Sequence, residues 1–452
     1  MNANEVRRDL EARGVRRIKV GGFDIDGVLR GKYLSLDKFC SAIETDIGFC
    51  DVIFGWDIGD VLYDNAKVTG WATGYPDAKA KIDLSTLRII PWEPATAAYL
   101  LDFATADGEP HPACPRSLLK SVLARADAMG FTASLGAEFE FFIFKETPES
   151  LREKGYRNLT PLSPGMFGYS WVREGQHQEL CHAILDEMEA FDIPIEALHT
   201  ETGPGVYEVA LRYDEALRMA DKAALFKTML KQLVHRMGLS VTFMAKWNHE
   251  LPGSSGHIHQ SLWSKADKCN LFYDESGPHN LSALALSYLA GQLELMPELT
   301  ALYAPTINSY KRYVPGVWAP LNATWGIENR TASIRAIPGS MSSTRLEYRQ
   351  TAADMNPYIA MATVVAAGLY GIEHAKSAPP PASGDASVAR ATVKPLPRTL
   401  KDATQLLSDS EAARELLGEP FVDHYVRTRE WEVRQYERVV TEWELGRYFE
   451  SI

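Results

Sequence analysis

The chain has 452 residues, enough for two or three domains that each bury a core. Its net charge of −12 argues against a nucleic-acid surface and against binding to anionic membranes, and no apolar run approaches the length of a membrane span. The five cysteines are scattered and lack CxxC spacing, which predicts reduced thiols in a cytoplasmic protein rather than a disulfide framework or a zinc site.

The first 107 residues predict a small domain built on one sheet. Helical spacing covers residues 4–13 and 36–45, and the acid-rich segment 55–65 is predicted to be a loop. Four runs of apolar residues have strand patterns, at 17–23, 28–34, 84–91 and 97–103. The domain is expected to end near Asp107, because Pro115 in the segment that follows favours the start of a helix.

The remainder of the chain predicts an α+β domain. Helical patterns occur at residues 115–129 and 176–191, from a cap at Asp214 to Met237, and in the tail at 423–445. Strand patterns occur at residues 136–144, 195–201, 206–211, 240–246, 256–263 and 331–335. Proline- and glycine-rich segments at 158–175 and 378–385 are expected to be loops.

The segment 136–144, GAEFEFFIF, alternates as a strand does and places Glu138 and Glu140 on one face. Two carboxylates in so apolar a run are costly to bury unless a cation neutralises them. Hard divalent cations favour several carboxylate oxygens, so the segment is a candidate metal site. The alternative is a half-exposed edge strand on which both acids are solvated.

Three further segments concentrate residue types that bind metals and phosphates. Glu201 and Glu208 flank a Gly-Pro-Gly turn that would aim both acids at one point, unless this is a plain surface hairpin. The segment GSSGHIHQSL predicts a glycine-serine loop followed by a strand with His257 and His259 on one face. These histidines are candidate metal or phosphate ligands, and the alternative is that both are buried core residues. Four arginines are concentrated around Glu347: Arg330, Arg335, Arg345 and Arg349. Guanidinium groups suit carboxylate and phosphate oxygens, and the alternative is a surface of salt bridges.

Together these segments resemble the glutamine synthetases of bacterial type I. GAEFEFF, HTETGPGVYE, GSSGHIHQS, YKRYVPG, NRTASIR and RLEYR occur in that family's order and approximate spacing, over nearly the whole chain. The resemblance implies a β-grasp domain at 1–107 and an α/β catalytic domain at 108–452. It also implies ATP, L-glutamate, two or three Mg²⁺ or Mn²⁺ ions per site, and a homo-oligomer. The expected oligomer is a dodecamer of two hexameric rings with active sites between subunits.

The resemblance also implies a role for each matching position. One divalent ion would be held by Glu140, Glu201 and Glu208. A second ion, which bridges the nucleotide phosphates, would be held by Glu138, His257 and Glu347. The nucleotide would contact Arg335, Arg345, His259 and, on the adenine side, Ser261. Glutamate and the transferred phosphoryl group would contact Gly253, Arg312, Arg330 and Arg349.

The chain departs from ammonium-using members where ammonium would bind. In those members a flap glutamate closes the site and helps to take a proton from ammonium, whereas this chain has Trp318 at that position. A neutral indole cannot accept a proton and favours contact with carbon. Asp57 matches an aspartate that contributes to the ammonium site of the neighbouring subunit, but this chain lacks the serines that follow that aspartate in the family. Asp77 matches a second acid of that site through an insertion, which makes this alignment less secure.

These departures resemble the γ-glutamyl-amine ligases, which couple glutamate to organic amines. The expected reaction joins the γ-carboxylate of L-glutamate to a primary amine through a γ-glutamyl phosphate. One alternative is an ammonium-using glutamine synthetase with a tolerant flap, in which Trp318 only anchors the flap. The other is a non-catalytic structural or regulatory relative, against which the six intact metal ligands argue.

Overall fold

The structure, a computed structural model, describes residues 2–387 and 393–452. It contains two sheets, one of five strands near the N-terminus and one of nine strands. None of the helices within these described ranges is long and apolar enough to cross a membrane. The predicted α+β fold class is therefore matched by an architecture of two separate sheets covered by helices.

The smaller sheet has the strand order β2-β1-β5-β4-β3. Its elements, in chain order, are α1 (Ala3–Ala12), β1 (Arg17–Phe23), β2 (Leu29–Ser35), α2 (Leu36–Thr45), β3 (Ile47–Cys50), β4 (Asp77–Ile89) and β5 (Thr96–Ala104). β1 pairs antiparallel with β2 and parallel with β5. β4 starts at Asp77 rather than at the predicted residue 84, because its inward positions there are alanines, which have a weak strand signal.

The larger sheet has the order β12-β13-β14-β11-β6-β8-β7, and β9 and β10 also pair with β6. Its strands are β6 (Phe131–Phe144), β7 (Ile195–Thr200), β8 (Val206–Leu211), β9 (Asp214–Glu215), β10 (Ser240–Thr242), β11 (Ile258–Ser264), β12 (Trp325–Ile327), β13 (Ile334–Ile337) and β14 (Arg345–Tyr348). The segment GAEFEFFIF forms the second half of β6, so the candidate metal residues lie on the strand that organises the sheet.

Helices cover this larger sheet and extend to the C-terminus. They are α3 (Pro115–Ala128), α4 (Pro148–Glu153), α5 (Trp171–Gln176), α6 (Gln178–Ala190), α7 (Ala216–Arg236), α8 (Ala283–Tyr303), α9 (Pro357–Glu373), α10 (Leu400–Asp409), α11 (Glu411–Leu417), α12 (Glu419–Glu437) and α13 (Glu442–Tyr448). Sequence periodicity does not predict α8 or α9, because both are buried on nearly all sides and lack a polar stripe. They pack so closely that a Cβ on Gly371 would lie 2.1 Å from the Ser287 carbonyl oxygen.

Several predicted boundaries differ from those observed. The strand expected at 240–246 ends at Thr242, and the single tail helix is divided into α12 and α13. The expected loop at 158–175 already contains the start of α5. Asp214 does not cap α7, because its carboxylate binds the side chains of Arg218 and Lys222 instead.

The β1–β2 turn connects the smaller sheet to the helices that cover the larger sheet. The Arg429 guanidinium on α12 donates to Asp26 Oδ1 at 2.6 Å, and the Asn356 amide donates to the Asp24 carbonyl at 3.1 Å. Arg30 donates to the buried Asp24 carboxylate at 2.8 Å and to Asp60 at 2.7 Å. The loop that carries Asp57 is therefore tied to the same turn as the C-terminal helices.

Replacing Arg116 by methionine should destabilise the fold. This side chain is only 3% exposed and donates to Asp221 and Asp102 at 2.8 and 2.7 Å. The variant leaves the buried Asp221 carboxylate without its salt bridge, so the free energy of unfolding should fall by about 3–5 kcal/mol. Denaturant titration followed by circular dichroism measures the change. Arg7→Met, which breaks a surface pair with Asp37, is the matched control and should barely move the transition; equal losses would contradict this account.

Candidate active site

Two rows of side chains cross one face of the larger sheet. His199, Glu208 and Glu140 lie directly opposite one another on β7, β8 and β6. The second row crosses β13, β14 and β11 and reaches β6 at a glycine: Arg335, Glu347, His259 and Gly136. Directly opposed residues share a face of a sheet, so strand register alone brings these polar groups together.

The first cluster consists of Glu138, His259 and Glu347, which offer ligand atoms within 4.8 Å of one another. His259 Nε2 lies 2.9 Å from Glu138 Oε1. His257 Nδ1 lies 3.3 Å from Glu138 Oε2 and 3.4 Å from Glu347 Oε1, so this ring also belongs to the cluster. The three residues expected to bind the second metal ion are thus neighbours, and His259 lies beside them.

The second cluster consists of His199, Glu201 and Glu208, with ligand atoms again within 4.8 Å. His199 Nε2 lies 3.1 Å from Glu201 Oε1 and 3.7 Å from Glu208 Oε1. The ring of Tyr169 stacks on that of His199 with a centroid separation of 4.4 Å. Glu140 lies opposite Glu208, so the three acids expected to bind the first ion are also brought together.

Ser255 fixes the carboxylate of Glu140. Its backbone N–H donates to Glu140 Oε2 at 2.7 Å, and its hydroxyl donates to Oε1 at 2.6 Å. The Glu140 N–H in turn donates to the Ser255 carbonyl at 3.0 Å. The glycine-serine loop therefore holds one acid of the cluster in a single orientation.

The two clusters differ in charge balance. Burial, and next the carboxylate of Glu140, raise the pKa of Glu208 to about 9. Burial also opposes ionisation of Glu138 and Glu347. There, however, the histidines, with Arg349 in the case of Glu347, hold each pKa below its usual value. His199 lies beside Glu201 and Glu208, yet burial and the neighbouring carboxylates still raise the pKa of Glu208, so a bound cation would offset this repulsion.

The donor set fits divalent metal ions. Five carboxylates and the imidazoles offer the oxygen and nitrogen ligands that Mg²⁺ and Mn²⁺ accept. His257 Nε2 is buried and has no hydrogen-bond partner among the described residues. A buried nitrogen without a partner is costly, and coordination to an ion would satisfy it.

A cavity of about 260 Å³ lies next to the first cluster. Its lining includes Glu138, His259, Ser261 and Arg345, which are four of the residues expected to contact the nucleotide or its metal ion. Arg345 Nε donates to His259 Nδ1 at 3.2 Å. The cavity therefore connects the predicted phosphate residues with the predicted adenine side.

The remaining arginines surround Glu347. Arg349 pairs with Glu347 Oε1, and Arg335 Nη1 donates to Oε2 at 3.2 Å. Arg349 Nε also donates to the carbonyl of the exposed Arg330 at 3.2 Å. Such paired guanidinium groups could turn to a carboxylate or phosphate without a large backbone change.

Arg312 and Gly253 form a separate packed unit at the edge of the site. The buried Arg312 guanidinium donates to the carbonyls of Gln350 and Thr351 at 2.9 and 3.2 Å. A Cβ on Gly253 would lie 2.6 Å from the Ala245 carbonyl oxygen and 2.7 Å from Arg312 Cγ. Only glycine fits here, so the loop before β11 lies directly against this arginine.

The structure does not bring three predicted site residues to the clusters. The Asp57 carboxylate accepts the N–H groups of Gly59 and Val61 within its own loop, and Asp77 is exposed at the start of β4. No hydrogen bond or ion pair in the described part of the chain links either acid to the clusters. Trp318 is 68% exposed and lines a different cavity, of about 610 Å³, together with Arg330.

Sequence reasoning missed three residues that the structure places in or near the site. His199 begins the HTETGPGVYE motif two residues before Glu201, a spacing that puts both on one face of a strand and could have identified it. Ser255 belongs to the GSSG segment, but its bonds to Glu140 depend on the fold. Glu328, which pairs with Arg335, carries no signal in the sequence.

Residues 112–448 match the family "glutamine synthetase, catalytic domain". The chain belongs to the glutamine synthetase family. The type-1 glutamine synthetase 2 of Dictyostelium discoideum is 49% identical and covers 96% of this chain and 84% of its own length. A glutamate–isopropylamine ligase of a Pseudomonas species is 37% identical over 99% of this chain and 98% of its own. A solved structure described as a GmaS/ADP complex superposes with a TM-score of 0.86 and 28% identity, covering 98% and 99% of the two chains.

These comparisons confirm the predicted family and fold class. The chain is an ATP-dependent ligase of the glutamine synthetase family, whose members use divalent metal ions. Its relatives include both a glutamine synthetase and an amine ligase. The division at residue 107 and the individual site roles stay predictions.

Alanine at Glu140 or Glu347 should weaken metal binding while leaving the fold intact. Each variant removes one carboxylate from a half-buried or buried cluster, so Mn²⁺ affinity should fall about tenfold or more. Calorimetric titration with Mn²⁺ measures this loss. Glu179→Ala, at an exposed position of α6, is the matched control and should bind as the unaltered protein does. Unchanged Mn²⁺ affinity in both site variants would refute the assignment.

Proposed function

We propose that this protein joins the γ-carboxylate of L-glutamate to a primary organic amine, with conversion of ATP to ADP and phosphate. The observation that carries the proposal is Trp318, in a flap where ammonium-using relatives are expected to have an acid. The acids and histidines expected to hold the metal ions lie together on one face of the larger sheet, and the arginines expected to serve ATP and glutamate are also present in the chain. Phosphoryl transfer is retained and the nitrogen donor is changed.

The first half of the proposed reaction transfers the ATP γ-phosphoryl group to glutamate. Divalent ions supply charge neutralisation for the phosphates. Arg335 and Arg345 would hold the nucleotide phosphates, and Arg312, Arg330 and Arg349 the glutamate carboxylates and the transferred group. Fixed positive charge in this position stabilises the charge that develops as the acyl phosphate forms.

The second half replaces phosphate by the amine. An alkylammonium ion has a pKa near that of lysine, about 10, and must lose a proton before its nitrogen can attack. Trp318 cannot accept this proton. We propose that the proton goes to Asp57 of the neighbouring subunit, or else to Asp77 or Glu201 nearby. The indole would contact the amine substituent by apolar packing or cation–π attraction.

The isopropylamine ligase supports this proposal, because it resembles this chain over nearly its full length. An ammonium-using glutamine synthetase is the second candidate, supported by the higher identity to the Dictyostelium discoideum protein. A non-catalytic relative is disfavoured, because a structural protein gains nothing from acids whose mutual repulsion requires a cation.

Measured ADP release with glutamate and a panel of amines should show much faster turnover with alkylamines than with ammonium. Trp318→Glu restores an acid to the flap, so the ratio of kcat/KM for ammonium to that for the best alkylamine should rise at least about tenfold. Trp318→Leu is the matched control, since it removes the ring without adding an acid. An unchanged ratio in Trp318→Glu would mean that the indole does not select the nitrogen donor.

We also propose that the active chain is a dodecamer of two hexameric rings, with each site shared between adjacent subunits. Asp57 is then a residue used by the neighbouring subunit, which accounts for its separation from the clusters of its own chain.

Mixed rings test this sharing of sites. Asp57→Ala and Glu140→Ala subunits should each be inactive alone, while refolded mixtures should recover part of the activity, because some interfaces combine two intact halves. Light scattering confirms the ring size. Verified mixed rings without recovered activity would contradict the shared site.

A further inference from the structure

Glu328 is an acid beside the proposed active site to which the family resemblance gives no role. It follows β12 directly, and its backbone has the left-handed conformation, with φ of 49°, which is uncommon for a residue with a side chain. Its N–H donates to the Ala336 carbonyl at 3.0 Å, which fixes that conformation against β13. Strained backbone held in this way is frequent at functional sites.

Only one of the two carboxylate oxygens of Glu328 accepts hydrogen bonds from the described residues. Its Oε2 accepts both Nε, at 2.9 Å, and Nη2 of Arg335. Its Oε1 has no hydrogen-bond partner within the described ranges, and the side chain is 47% exposed. Arg335 is shared with Glu347, so a single guanidinium serves two acids. Glu328 therefore has one carboxylate oxygen, Oε1, that accepts no hydrogen bond from the described residues.

Glu328 and Trp318 line the same cavity of about 610 Å³. The other polar or charged groups in its lining include His279, Asn329 and Arg330. Among the described residues that line the cavity, Glu328 is the one with a carboxylate. The flap itself offers an indole and no carboxylate. One cavity thus combines an aromatic ring with a single carboxylate oxygen that is open to a ligand.

An amine substrate reaches the protein mainly as an alkylammonium ion. Such an ion is recognised by a carboxylate acceptor together with an aromatic face. We propose that Glu328 is a specificity-determining residue that receives the ammonium group of a primary alkylamine, while Trp318 contacts its carbon substituent. This inference rests on the proposed ligase function and concerns recognition of the substrate, not the removal of its proton.

Glu328→Gln tests the inference, because it removes the charge and keeps the size and one acceptor oxygen for Arg335. Steady-state kinetics should show that KM for the best alkylamine rises about tenfold, because the variant loses one charge-assisted hydrogen bond to the substrate. KM values for ATP and glutamate should stay within about twofold. Hydroxylamine, a nucleophile that is largely uncharged at neutral pH, should show no such rise.

The controls separate the possible failures. Glu189→Gln, at an exposed position on α6, should leave every constant unchanged. Trp318→Leu, on the exposed flap, should also raise KM for the alkylamine but not for hydroxylamine. An equal rise for both nucleophiles, or a rise for ATP alone, would overturn the inference. An unaltered protein that uses only ammonium would instead overturn the proposed ligase function.

Discussion

Repulsion between the carboxylates of Glu140 and Glu208, which lie directly opposite each other on β6 and β8, is the constraint on which the catalytic face depends. Burial, and next this repulsion, raise the pKa of Glu208. Arrangements of this kind persist only if something cationic offsets them. Ser255 holds Glu140 in place against it. The sheet therefore presents a rigid set of oxygens for divalent ions, and rigidity is what phosphoryl transfer needs from its metal site.

Positive charge is arranged around this acidic centre rather than within it. Arg335 and Arg349 both contact Glu347, and Arg345 contacts His259. Arg345 also lines the cavity beside the first cluster, where phosphates would compete for its guanidinium group. Glu328 and Trp318 line a second cavity. Under the proposed function, the cavity lined by Arg345 would receive the nucleotide and the second cavity would receive the alkylammonium ion.

The smaller sheet contributes through its loops. Arg30 donates hydrogen bonds to both Asp24 and Asp60 and so connects the β1–β2 turn to the loop that carries Asp57. The same turn bonds to Arg429 on α12. A loop held so firmly, yet remote from the clusters of its own chain, is suited to serve a neighbouring subunit, since binding then costs little ordering entropy.

The family, the α+β class and the strand that carries Glu138 and Glu140 could be predicted from the sequence, because strand alternation and dense motifs are local signals. The sequence did not determine α8 and α9, whose burial on all sides removes the periodicity on which prediction depends. The partners of the site residues depend on contacts between segments that are distant in the chain. Strand register set His199 opposite Glu208, and loop packing placed Ser255 on Glu140. Glu328 became visible for the same reason: its pairing with Arg335 and its place beside Trp318 are relations across strands and loops that no sequence spacing encodes.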